Sequence, residues 1–64
     1  MAYVAVDRDG TEKIFNKQPK RTYYNGLGGW AQRPNSHRII LPQGTIEKLL
    51  GYRLEWKDEA VEID

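Results

Sequence analysis

The sequence predicts a small α+β domain: a small antiparallel β-sheet or partly rolled barrel of four to five strands, carrying one short helix at about residues 45–50. Three observations predict it. Residues 3–6 and 11–15 are rich in strand formers and flank Asp7-Arg8-Asp9-Gly10, a tight-turn sequence. Ile46, Leu49 and Leu50 fall at i, i+3 and i+4, bounded by Pro42-Gln43-Gly44 before and Gly51 after. The 64 residues allow one domain, residues 1–64, with one thin core.

The first element is a hairpin over residues 2–16. Side chains alternate across a strand, so Val4, Val6 and Ile14 share one face, and Tyr3, Ala5 and Phe15 point the other way. Asp7-x-Asp9-Gly10 starts like a calcium loop, but Glu12 stands where glycine is required and Gln18 where the final glutamate belongs. The motif therefore reads as a turn.

Pro19 takes the chain out of the sheet, and residues 21–24 form a short edge strand. Three glycines among residues 25–29 predict irregular structure, which Pro34-Asn35 extends through residue 36. The glycines do not make a phosphate-cradling loop, because no helix follows them. Residues 37–41 are the next strand, and the run Ile39-Ile40-Leu41 predicts burial on both sides or entry into the core.

Thr45 is the expected N-cap of the helix, its hydroxyl accepting from a first-turn N–H. Ile46, Leu49 and Leu50 are expected to face the sheet, and Gly51 to close the helix in the left-handed conformation. Residues 52–57 alternate, with Tyr52, Leu54 and Trp56 on one side and Arg53, Glu55 and Lys57 on the other. They read as a strand that turns at Asp58-Glu59 and returns over residues 60–63.

Composition bounds function. There is no cysteine, so disulfides and thiolate metal sites are excluded. His37 is the only histidine. It adjoins the only serine, Ser36, but neighbours on an extended chain point apart and make no nucleophile–base pair. No catalytic constellation, metal site or cofactor is predicted. No stretch approaches the roughly 20 apolar residues of a membrane span. The N-terminal residues lack a signal peptide's basic start and long apolar core, so a cytoplasmic protein without membrane attachment is expected.

The net charge is +1, yet the charges are unevenly placed. Lys17, Lys20, Arg21, Arg33 and Arg38 lie within residues 17–38, where there is no acid. Tyr23, Tyr24 and Trp30 are interleaved with them. All nine acids lie in the flanks, and Glu55, Asp58, Glu59, Glu62 and Asp64 make an acidic end. A near-neutral chain exerts no global pull on polyanions, so any attraction is local, within a Debye length of about 8–10 Å.

The segment reads in two ways. Its aromatics pack as a satellite core and its bases solvate a loop, or the segment is a binding surface. The function expected on the second reading is a small non-enzymatic interaction module binding a protein partner through loop 17–38. Lys20, Arg21, Arg33 and Arg38 would supply charge, and Tyr23, Tyr24 and Trp30 contact area. Two alternatives use the same chain. One is a weak, sequence-tolerant single-stranded nucleic-acid binder, in which the aromatics stack bases. The other is a structural homo-oligomer pairing an edge strand or the basic loop with the acidic C-terminal hairpin.

The segments VAVDRDGTEKIF, LPQGTIEKLLG and LEWKDEAVEI resemble small uncharacterised proteins of gut Bacteroides-type bacteria and their phages or mobile elements. The resemblance covers residues 3–15 and 41–63, not the middle, and carries over no catalytic or binding residue. It implies an accessory protein that acts by binding rather than by chemistry.

Overall fold

Strict alternation in the first hairpin places two cores back to back on one sheet. A computed structural model describes residues 1–24 and 26–63. Its strands are β1 (Ala2–Val6), β2 (Glu12–Phe15), β3 (Lys20–Tyr24), β4 (Leu27–Ala31), β5 (Arg38–Leu41) and β6 (Val61–Ile63), with helix α1 (Thr45–Leu50) between the last two. The fold is small α+β, with six strands among the described residues rather than four or five. They form a four-stranded sheet, β5-β2-β1-β6, and a two-stranded sheet, β3-β4. All pairings are antiparallel, and the strands do not close into a barrel.

The register Val4↔Ile14 and Tyr3↔Phe15 divides the side chains as the alternation predicts. On one face Val4 and Val6 join Ile46 of α1 and Leu54, with Ile14, Leu41, Leu50, Val61 and Ile63 packed against them. On the other face Ala5 and Phe15 join Trp30 of β4, flanked by Tyr3, Trp56 and Ala60. Each face of the large sheet thus has its own cover, helix on one side and hairpin on the other. The turn between β1 and β2 is closed by Asp7 N–H donating to Thr11 O (2.9 Å) and Gly10 N–H donating to Asp7 O (2.9 Å). Asp9 Oδ1 accepts from Thr11 N–H at 3.0 Å, and this bond holds the exposed carboxyl below the usual carboxylate range.

Several expectations are corrected. Residues 27–31 are a strand despite Gly28 and Gly29, because β4 pairs with β3 and Gly28 O accepts from Arg8 N–H (3.1 Å). Residues 52–57 form no strand. Their alternation reflects burial in two different cores: Leu54 packs on the helix side and Trp56 on the hairpin side, so the chain crosses from one face to the other between them. There is consequently no terminal hairpin, and β6 pairs instead with β1. The strand at Arg38–Leu41 is not doubly buried. It is an edge strand, with Ile39 64% and Ile40 60% exposed.

The helix has the predicted limits but a different start. Gly44, not Thr45, is the N-cap, and no cap side chain bonds the first turn. Thr45 Oγ1 donates to Pro42 O (2.7 Å). The first-turn donors are satisfied from β2: Glu12 Oε2 accepts from Gly44 N–H (2.7 Å) and Oε1 from Ile46 N–H (2.8 Å). Gly51 closes the helix at φ 81°, its N–H donating to Glu47 O. Ile46 is buried and Leu50 packs beside it, but Leu49 is more than half exposed.

Candidate interaction surface

The antiparallel register of β3 and β4 sorts the basic-aromatic segment by face. Arg21 stands opposite Trp30 and Tyr23 opposite Gly28, while Lys20 and Thr22 belong to the other face. The Arg21–Tyr23 face receives Trp56. A side chain at position 28 would collide with it, since a Cβ there would lie 2.5 Å from Trp56 Cζ2. The glycine is a seat for the indole, not a hinge.

Trp56, Trp30 and Arg21 form one stack. The Arg21 guanidinium lies 4.4 Å from the Trp56 ring centroid and 4.6 Å from that of Trp30. The two indoles meet edge to face at 6.1 Å, and Tyr23 adds a second edge contact to Trp56 at 5.8 Å. Arg21 Nη1 donates to Trp56 O and Nη2 to Asp58 O, both at 2.8 Å; Nη2 also lies 3.6 Å from Glu59 Oε2. The guanidinium is therefore occupied, holding residues 56–59 against the hairpin.

Trp30 is 4% exposed, with Nε1–H donating to Val6 O (3.0 Å). Its backbone N–H donates to Asp7 Oδ1 (2.9 Å). Asp7 Oδ2 in turn lies 2.7 Å from Lys13 Nζ, with both side chains largely buried. This pair ties the first turn to β4 inside the hairpin-side core. Sequence reading missed Asp7, Lys13 and Trp56 as parts of this assembly. Asp7 carried only a turn signal, and nothing in the alternation of residues 52–57 indicates that Trp56 changes faces.

The remaining bases gather elsewhere, at the open end of the β3–β4 hairpin. Two connecting segments lie side by side there. Asn16 N–H donates to His37 O (3.2 Å), and Asn16 Oδ1 accepts from His37 N–H (2.8 Å). Arg33 Nε donates to Gln18 O (2.8 Å), and Arg38 Nη1 to Gln32 Oε1 (2.9 Å). The 33–36 turn is pinned by Ser36, whose backbone N–H (3.1 Å) and Oγ (2.6 Å) both donate to Arg33 O. Ser36 is buried in that role, and exposed His37 offers it no base. Lys17, Lys20, Arg33 and Arg38 are all exposed around this junction.

The seven expected site residues thus separate. Lys20, Arg33 and Arg38 are exposed at the hairpin's open end. Arg21 and Trp30 are inside the stack, so neither presents a free contact surface. Tyr23 is 72% exposed at the stack's rim, and Leu27 is exposed near the hairpin tip. Tyr24 lies in β3, but its side chain falls outside the described residues.

On the other flank, a cleft of about 380 Å³ runs between the first turn and the start of α1, lined by Asp7, Arg8, Glu12, Gln43, Arg53 and Glu55 among others. Two of its carboxylates, Asp7 and Glu12, are already paired within the fold. No group of three or more histidines or carboxylates suited to a metal ion occurs among the described residues, and no helix among them is long and apolar enough to cross a membrane. Compared with known proteins, the chain matches no family model, no curated protein and no solved structure.

Proposed function

We propose that the chain is a non-enzymatic interaction module that binds a protein partner with an acidic surface. The contact residues are Lys17, Lys20, Arg33 and Arg38, with Leu27 at the far end of the same hairpin and Tyr23 exposed on its opposite face. The observation that carries this reading is the fixed, acid-free basic junction. Segments 16–18 and 32–38 are laced together by backbone and side-chain hydrogen bonds, so the Arg33 and Arg38 guanidiniums are held in place beside exposed Lys17 and Lys20. Arg21 and Trp30 act as scaffold behind this surface. Trp30, the segment's largest aromatic face, is buried, and Tyr23 is exposed but already in edge contact with Trp56. With Trp30 unavailable for stacking bases, a protein is favoured over a single-stranded nucleic acid.

Fluorescence anisotropy at low salt tests the reading. A labelled peptide of alternating glutamate and tyrosine is expected to bind and to weaken as salt rises, and the triple variant K20E/R33E/R38E to weaken it by roughly tenfold or more. Absence of peptide binding, or binding indifferent to the triple variant, overturns it. Tighter binding of labelled oligothymidine than of the peptide replaces the protein partner with a nucleic acid.

A further inference from the structure

We propose that copies of this chain add head to tail, the β6 edge of one copy pairing with the β5 edge of the next to extend the four-stranded sheet. Among the described residues, the order β5-β2-β1-β6 leaves both outer strands with an unpaired edge. The groups on those edges follow from the ladders. In an antiparallel sheet, N–H and C=O of one residue point to the same side, and alternate residues point to opposite sides. Asp7 N–H donates to Thr11 O, so Thr11, Lys13 and Phe15 are directed toward β1, and Glu12, Ile14 and Asn16 toward β5. The bond from Asn16 N–H to His37 O agrees. His37, Ile39 and Leu41 are thus directed into the sheet, and Arg38 and Ile40 outward. By the same alternation Ala2 and Val4 bond Ile63 and Val61, which leaves Ala60 and Glu62 directed outward.

One register joins these edges without turning the sheet over. β6 runs antiparallel to β5, so Arg38 can stand opposite the next copy's Glu62, Ile39 opposite its Val61, and Ile40 opposite its Ala60. The outward N–H and C=O groups of Arg38 and Ile40 then meet those of Glu62 and Ala60. Faces also match: Ile39 is opposite Ile14 and Val61 opposite Val4, both on the helix side, while Arg38 is opposite Phe15 and Glu62 opposite Tyr3, both on the hairpin side. The pairing sets a basic side chain beside an acidic one and covers exposed Ile39 and Ile40. That charge complementarity selects a second copy over an unrelated strand, and β6 over a second β5, which would leave Glu62 without a counterpart. Because the two edges differ, the contact is heterologous and continues beyond a dimer.

Sedimentation of the purified chain, without other partners, tests this separately from peptide binding. The mass is expected to rise with concentration past that of a dimer. Ile40→Pro removes an outward N–H that the β2 ladder does not use, so the variant is expected to keep its circular dichroism and become monomeric. Arg38→Glu and Glu62→Arg are each expected to weaken association roughly tenfold, and the double variant R38E/E62R to recover most of it. A monomer up to millimolar concentration overturns the proposal. So does a dimer plateau indifferent to Glu62→Arg, or a double variant no stronger than the singles.

Discussion

Arg21 and Trp56 hold each other in place: the guanidinium lies 4.4 Å from the indole centroid and donates to the carbonyl of the same residue at 2.8 Å. One side chain thereby fixes both the ring and the backbone that carries it. Arg21→Ala is expected to cost about 2 kcal/mol, mostly from the two carbonyl acceptors and the lost ring contacts, since Glu59 is too exposed to contribute much. Arg21→Lys keeps the charge but not the planar fork, and should recover less than half. The shift of the urea midpoint measures both.

Gly28→Ala tests the seat beneath Trp56. The new methyl would sit 2.5 Å from Cζ2 and 2.9 Å from Cε2, so the indole has to move. A loss of about 1–3 kcal/mol is expected, as for other overpacked sites. Tryptophan emission should shift to the red as Trp56 loses its cover. A flexible loop at residue 28 would instead tolerate the methyl without either change.

Asp7 and Lys13 form the most deeply placed ion pair among the described residues. Asp7→Ala leaves the Lys13 ammonium with only the Trp30 carbonyl at 3.4 Å and strands the Trp30 N–H, and should cost about 3–5 kcal/mol, comparable to the whole stability of so small a domain. Far-UV circular dichroism is expected to show an unfolded chain. Lys13→Met alone should be milder, because Trp30 still donates to Asp7. The double variant D7A/K13M removes the unpaired ammonium and is expected to regain folded far-UV signal relative to Asp7→Ala alone, which reads the coupling.

Helix α1 is capped from another strand. Glu12→Ala removes the acceptor for Gly44 N–H and Ile46 N–H and is expected to cost about 2 kcal/mol, with Glu12→Gln near half of that. Thr45→Ala should stay within about 0.5 kcal/mol, because its hydroxyl donates to Pro42 O and caps nothing. Urea titrations of the three variants separate the two capping schemes.

The contrast between Glu12 and Thr45 marks what sequence could and could not convey. Local signals sufficed for the first hairpin and its two faces, and for the helix limits between Gly44 and Gly51. The cap escaped because its acceptor comes from β2, far away in sequence. β4 escaped for a related reason: Gly28 and Gly29 read as chain breakers until Trp56 is seen against the strand. Ile39-Ile40-Leu41 announced a strand, but a run of apolar residues cannot tell whether a neighbour exists on its far side. The basic segment was legible as a place of interest, by its charge and the aromatics and glycines interleaved with it. Its division into occupied Arg21 and exposed Lys20, Arg33 and Arg38 depends on the carbonyls of Trp56 and Asp58, which no local pattern reveals.

Residues 56–63 carry a further consequence. Trp56 covers the hairpin and β6 flanks β1, so a segment made after both layers secures each of them. Until it emerges, Trp30 lacks its edge-to-face neighbour and the guanidinium of Arg21 has neither carbonyl. The nascent chain therefore exposes a cationic, aromatic hairpin that the finished fold partly conceals, and folding has to wait on contacts between distant ends, which slows it relative to a locally wired domain of this size. A release from the ribosome just short of Trp56 would yield a chain with different adhesive properties, not merely a less stable one.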